Sequence, residues 1–205
     1  MLVEHRGRQP QVDPTAWIAP NATLSGAVRV GPGTRILYGA VLTAEGDADL
    51  VVGPGCVIME QAVLRAAGRF SLALGEQVLV GPHAYLSGCT VGSRAFIATG
   101  AMVFNGASVG EACVVALGGK VHVDTELDND TWVPMGYIVF GRPGRIYPPN
   151  EAPAVHEQLS RLNFMRYVFG VDPAGKSRTA IMAEAMKKYA RALGDHSTDK
   201  VISEL

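Results

Sequence analysis

Cysteine is scarce in this chain: Cys56, Cys89 and Cys113 are all it has. An odd count at wide spacing builds neither a disulfide framework nor a CxxC motif. Excess charge is also missing. A formal net charge of −1 at pH 7 leaves no basic footprint for nucleic acid and no reason for attraction to an anionic membrane. Apolar runs are short and broken by Gly, Pro or charge, so none is long enough to span a bilayer. The opening residues MLVEHRGRQP have no apolar stretch of the signal-peptide kind. No GxGxxG with an acidic partner is found. A reducing, cytoplasmic setting is the expectation these features leave.

What the chain does have is a six-residue period. Each step opens with Leu, Ile or Val: Val12, Ile18, Leu24, Val30, Ile36, Leu42, and so on without exception to Val139. The fifth place of a step is small, as at Ala22, Ala40, Cys56, Ala62, Ala84, Ala101 and Cys113. Such a repeat marks a parallel β-helix, one short strand and one corner per step. The opener points inward and stacks on its equivalents, and the fifth residue must fit a crowded corner. Cys56 and Cys113 then read as small buried residues. Three steps make one coil, which gives about seven coils of a triangular prism. A β-sandwich would show two-residue alternation and hairpin turns instead. Two four-residue insertions interrupt the period, in TAEGDADLVV after Leu42 and in RAAGRFSLAL after Leu64, and one residue is missing between Leu86 and Val91. Both insertions follow the third step of a coil, so both emerge at one corner, where inserted loops often form a binding face.

Residues 1–11 show no usable pattern and read as a lead-in to repeats that begin at about residue 12. The coil domain is expected over 1–144 and a helical segment over 145–205. Within that segment Val155, Leu159, Leu162, Met165 or Arg166, and Phe169 follow helical spacing to a stop at Gly170. A second helix is expected over 178–193 after Ser177 as N-cap, with Ile181, Ala185, Met186, Tyr189 and Leu193 on one face, packed on the prism. The tail from Asp195 reads as loose. His5, His156 and His196 read as surface residues.

The runs ILYGAVLTAEGD, VGPGCVIMEQAVLR and LGEQVLVGPHAYLSGCTVGSRAFIATGAMV resemble the gamma-class carbonic anhydrase group of the hexapeptide-repeat superfamily, over about residues 10–144. The resemblance implies a left-handed β-helix, a homotrimer and a metal site between subunits held by three histidines. At the positions implied for those histidines stand Arg65, Pro82 and Ser87. Arginine does not deprotonate to bind a metal, proline offers no donor, and a serine hydroxyl is a weak zinc ligand. Thr43 and Glu45 stand where the family has the Arg and Asp of GAVLRGD, and Met59 where it often has Gln.

Repeat geometry agrees. The place after the third opener stacks Ser25, Thr43, Arg65, Ser87, Phe104, His122 and Phe140 about 4.8 Å apart, a column from which no three-histidine site can be made. Without a metal to lower the pKa of its water, no residue here generates hydroxide at neutral pH, and neither metal nor cofactor is expected.

Three functions stay open. One is a metal-free relative that binds a small anion, with Arg65, Ser87, Glu60 and Glu45 at the site, or serves as an assembly subunit. Arg69 or Arg94 could join Arg65 on the anion in the vacated cleft, whereas an interfacial salt bridge of Arg65 with Glu45, Glu60 or Asp47 is the plainer role. The second is an acyltransferase or thioesterase taking acyl-CoA in the cleft between subunits, with His83 as general base and His122 as the next candidate. The plainer role of His83 is a hydrogen-bonded corner residue. The third is a metalloenzyme with a relocated site.

Overall fold

The computed structural model describes residues 1–203. Its body is a left-handed parallel β-helix of about 8 turns. Three sheets form the walls of a prism. The first wall has parallel strands Leu2–Glu4, Thr23–Gly26, Val41–Ala44, Val63–Ala66, Tyr85–Ser87, Met102–Val103, Lys120–Val121 and Ile138–Phe140. Antiparallel strands Lys200–Ser203 and Arg145–Tyr147 close its two edges. The other two walls have seven strands each, from Gln11–Val12 to Glu126–Leu127 and from Trp17–Ile18 to Trp132–Val133.

The register is that of the six-residue period. Leu24, Leu42, Leu64, Leu86, Val103, Val121 and Val139 stack along the first wall. All seven have no solvent exposure. Stacked aliphatic side chains remove their whole apolar surface from water, the main stabilising contribution in such a coil. The small corner residues Ala22, Ala40, Ala62, Cys56 and Cys113 are equally buried. Thr34 fits a corner by donating its hydroxyl to Gly53 O at 2.9 Å. Burial pushes the Cys56 and Cys113 thiols up and that of Cys89 up to about 12, which makes them poor nucleophiles.

Residues 1–11 are part of the coil rather than a lead-in: Leu2 pairs with Leu24 and Val3 with Ser25, so the first wall gains a rung. The described part of the tail, through Ser203, is structured too. A 3-10 turn over Gly194–Thr198 leads into Lys200–Ser203, which pairs with the first strand. His5 is buried rather than at the surface. The single helix expected up to Gly170 is two, Ala152–Leu162 (α1) and Phe164–Phe169 (α2). Asn163 takes a left-handed conformation between them, and its side chain accepts from the Arg166 N–H. Gly170 ends α2 as expected, and Ser177 caps Arg178–Leu193 (α3). Met186 of α3 faces solvent instead of the prism.

The helices lie over the first wall. Val155, Leu159, Leu162, Phe164, Tyr167 and Val168 pack with Phe104, Val123, Ile138 and Phe140. Among the described residues, no helix is long and apolar enough to cross a membrane.

Candidate functional site

Covering the first wall with helices leaves a cavity of about 1020 Å³ between them. Its floor is part of the column after the third openers: Arg65, Ser87, Phe104 and His122. Both insertion loops, through Glu45–Asp47 and Ala67–Phe70, form one side of it, beside Arg6. Phe164, Tyr167 and Tyr189 close it from above. The strand period of two turns alternate side chains outward, so one wall supplies both the buried openers and the cavity floor.

At the charged end, Arg65 and Glu45 meet side-on. Arg65 Nε donates to Glu45 Oε1 at 2.7 Å and Nη2 to Oε2 at 2.6 Å. The pair is largely shielded, with side chains 20% and 17% exposed. The Tyr189 ring centre lies 5.4 Å from the guanidinium carbon of Arg65. The Glu45 hydrogen bonds hold the Arg65 guanidinium above its ordinary pKa, so it is a fixed cation. Nη1 takes no part in the pair with Glu45, and the Tyr189 side chain also interacts with the guanidinium. Arg69 stacks its guanidinium on Phe70 and Tyr167, at 4.6 and 4.9 Å, and donates to Tyr167 O. Lys188 of α3 also lines the cavity.

His122 sits among Phe104, Phe140 and Phe164, with ring centres 5.3–6.5 Å away. Burial holds its pKa below the ordinary value, so it is neutral at pH 7. Its Nδ1 accepts the Val123 N–H at 2.8 Å. The neutral ring then carries its proton on Nε2 and acts as a donor rather than a base. Burial likewise raises the Tyr167 phenol.

The structure brings Glu45, Arg65 and Ser87 to one cavity, with His122 beside them. It places Glu60 and His83 elsewhere, at the corner that precedes the first wall. There the His83 N–H donates to Glu60 O at 3.0 Å. His83 has φ +56 and is exposed, a corner position shared with Gln61 at φ +57 and Gly100 at φ +65. Among the described residues no side chain hydrogen-bonds its imidazole. Arg94 is on another wall, paired with Glu76 and Glu111. At the positions the resemblance assigns to metal ligands, the donor set does not suit zinc. The Arg65 cation would repel the ion, and Pro82 has no side-chain donor.

The sequence placed Tyr189 on a helix face packed against the prism, but neither Tyr167 nor the cavity under the helices was foreseen. Tyr167 and Tyr189 belong to helices whose docking site the repeat does not specify, and only their helical spacing hinted at a packed face.

No family model matches the chain. It is 34% identical over 145 residues to gamma carbonic anhydrase 1, mitochondrial, of Arabidopsis thaliana, covering 67% of this chain and 50% of that protein. To gamma carbonic anhydrase 2, mitochondrial, of the same plant it is 30% identical over 202 residues, covering 93% of this chain and 70% of that protein. The chain thus spans between half and about two thirds of these relatives' length. A hexapeptide transferase family protein from Anaplasma phagocytophilum shares the fold, with a TM-score of 0.52, 23% identity, and coverage of 97% and 98% of the two chains.

Proposed function

The chain belongs to the gamma carbonic anhydrase family, and from that premise we propose that it is a binding member which holds a small carboxylate or similar anion under its C-terminal helices and does not hydrate CO2. The observation that carries this reading is Arg65 itself. It stands where the resemblance implies a metal ligand, is steered side-on by Glu45, and leaves Nη1 outside that pair. A guanidinium recognises carboxylates by paired N–H donors. Arg69, Lys188, the Ser87 hydroxyl and the Nε2–H of His122 add donors of the same kind, and the aromatic lid suits an apolar body on the anion.

The competing reading is an acyltransferase or thioesterase that uses His83 as base on an acyl-CoA. A general base gains from a second group that orients its ring, and His83 is an exposed corner residue. His122 has its Nδ1 lone pair engaged by Val123. Both facts favour binding over this chemistry.

A homotrimer in the cytoplasm is part of the same proposal. The outward column of the third wall reads Trp17, Arg35, Val57, Leu79, Phe96, Val114 and Trp132. Trp17, Phe96 and Trp132 are exposed, as are Tyr38, Leu117 and Met135 at the next corner. An apolar face of this extent suits burial against another copy. Three buried free thiols fit a reducing compartment.

The test is a thermal-shift screen of purified protein with short and aryl carboxylates, phosphate and acyl-CoA, beside Arg65→Gln and His83→Ala. Carboxylate binding lost in Arg65→Gln and kept in His83→Ala is the expected result. Acyl-CoA turnover lost in His83→Ala would overturn it. So would CO2 hydration at ordinary enzyme rates with added zinc, cobalt or iron.

A further inference from the structure

Away from the cavity floor, the two ends of the chain bring three ligating side chains together. His5 follows the first strand, and Asp199 and His196 come from the turn before the last. His5 Nδ1 lies 2.6 Å from Asp199 Oδ1, and His196 Nδ1 lies 2.8 Å from Asp199 Oδ2. The two imidazoles face each other at a centroid distance of 4.5 Å and an interplanar angle of 33°. One ligand atom from each of the three residues can be chosen so that all lie within 4.8 Å of one another. Their burial is graded: His5 is enclosed at 2%, Asp199 is at 21% and His196 at 34%.

We propose that His5, His196 and Asp199 form a binding site for one divalent transition ion, zinc or a similar borderline metal, at the junction of the chain's two ends. The donor set is the reason for that class. Two imidazoles and one carboxylate suit zinc, cobalt, nickel or ferrous iron, whereas calcium and magnesium require more oxygen donors. Three protein ligands leave the ion an open place for water or a guest. Metal–ligand bonds of about 2.0–2.2 Å set tetrahedral donors roughly 3.3 Å apart, so donors spread over as much as 4.8 Å must close in. The group able to move is His196, the most exposed of the three, on a 3-10 turn. His5 is fixed in its corner between the His5–Arg8 bridge and the Gly46 N–H, which points to its Nε2 at 3.5 Å. The ligands are separated by 194 residues in sequence, so the ion would fasten the first rung to the segment that follows α3. That helix carries Ala185, Lys188 and Tyr189 of the cavity lid. Metal occupancy would therefore hold the lid down, whatever the cavity binds.

The experiment uses the full chain, stripped with chelator and titrated with CoCl2 and ZnCl2 at pH 7.5. Calorimetry reads stoichiometry, and the visible absorption of Co(II) reads geometry. One ion per chain, tetrahedral Co(II) bands and a raised Tm are expected. Asp199→Asn and His196→Ala should each weaken binding roughly ten-fold or more, while His156→Ala, on α1, should leave it unchanged. Asp199→Asn keeps the size and one acceptor oxygen, so it separates lost ligation from lost folding, with circular dichroism as the check. Failure of the wild-type protein to bind either ion overturns the proposal. So does binding of equal strength in folded Asp199→Asn and His196→Ala.

Discussion

Arg65 and Glu45 join adjacent coils through two parallel hydrogen bonds of 2.7 and 2.6 Å on the floor of the cavity. The pair is shielded enough that neither charge is well hydrated on its own. Removing one partner leaves the other poorly compensated. Glu45→Gln should therefore cost about 1–2 kcal/mol in chemical denaturation at fixed protein concentration, between the values for exposed and buried pairs. The same substitution frees Nε and Nη2 of Arg65, so carboxylate binding should tighten. Stability equal to wild type, together with unchanged binding, would remove Arg65 from the site.

His122 sets a pH dependence. Its folded pKa lies below the unfolded value of about 6.5, through burial. The unfolded state then binds more protons below that pH, and stability must fall as pH falls. The contribution is fully present above about pH 6.5 and is lost progressively below it, as the pH approaches the lowered folded pKa. Melting curves of wild type and His122→Gln from pH 7.5 to 5 should diverge, the wild type losing more. Parallel curves would refute this account.

Gly106 is a docking point for α2. It has φ +77, and a Cβ there would run into the Tyr167 hydroxyl. Gly106→Ala should destabilise by about 2 kcal/mol, combining the left-handed backbone penalty with displacement of the helix. Adding Tyr167→Phe should recover part of that loss, because the clashing oxygen is gone. The readout is denaturation of the single and double variants, with limited proteolysis of the helical segment.

His83 pays a backbone penalty at φ +56, and among the described residues no side chain hydrogen-bonds its ring. His83→Gly should therefore be neutral or stabilising, by up to about 1 kcal/mol, and should leave carboxylate binding intact. A fall in Tm, or lost binding, would assign the imidazole a role that the corner geometry does not explain.

The open third wall predicts assembly. Phe96→Glu places a charge in the middle of the outward apolar column and should shift sedimentation from trimer toward monomer without loss of β structure. A wild-type protein that sediments as a monomer would end the assembly proposal.

The coil was legible because every opener repeats the same physical demand, an aliphatic group turned into the core, once per corner. That is why Leu24, Leu42 and Leu64 fall into register. The first rung was hidden because Leu2 stands ten residues, not six, before Val12 and its partner Lys200–Ser203 lies at the other end of the chain. The break at Asn163 escaped notice because apolar spacing runs through it, while the left-handed turn depends on one side-chain hydrogen bond. Half the cavity was readable for similar reasons. Glu45, Arg65 and Ser87 follow from rung position, whereas the lid and the His5–Asp199–His196 cluster arise from long-range docking that no local pattern records.

A stack of identical rungs has no intrinsic length, since each terminal strand offers its free amides and carbonyls to another. On the first wall both ends finish in a strand that runs backwards, Lys200–Ser203 against Leu2–Glu4 and Arg145–Tyr147 against Ile138–Phe140. A reversed strand cannot be mistaken for the next coil, so along that wall head-to-tail growth into a fibre is blocked, and the chain counts its own turns.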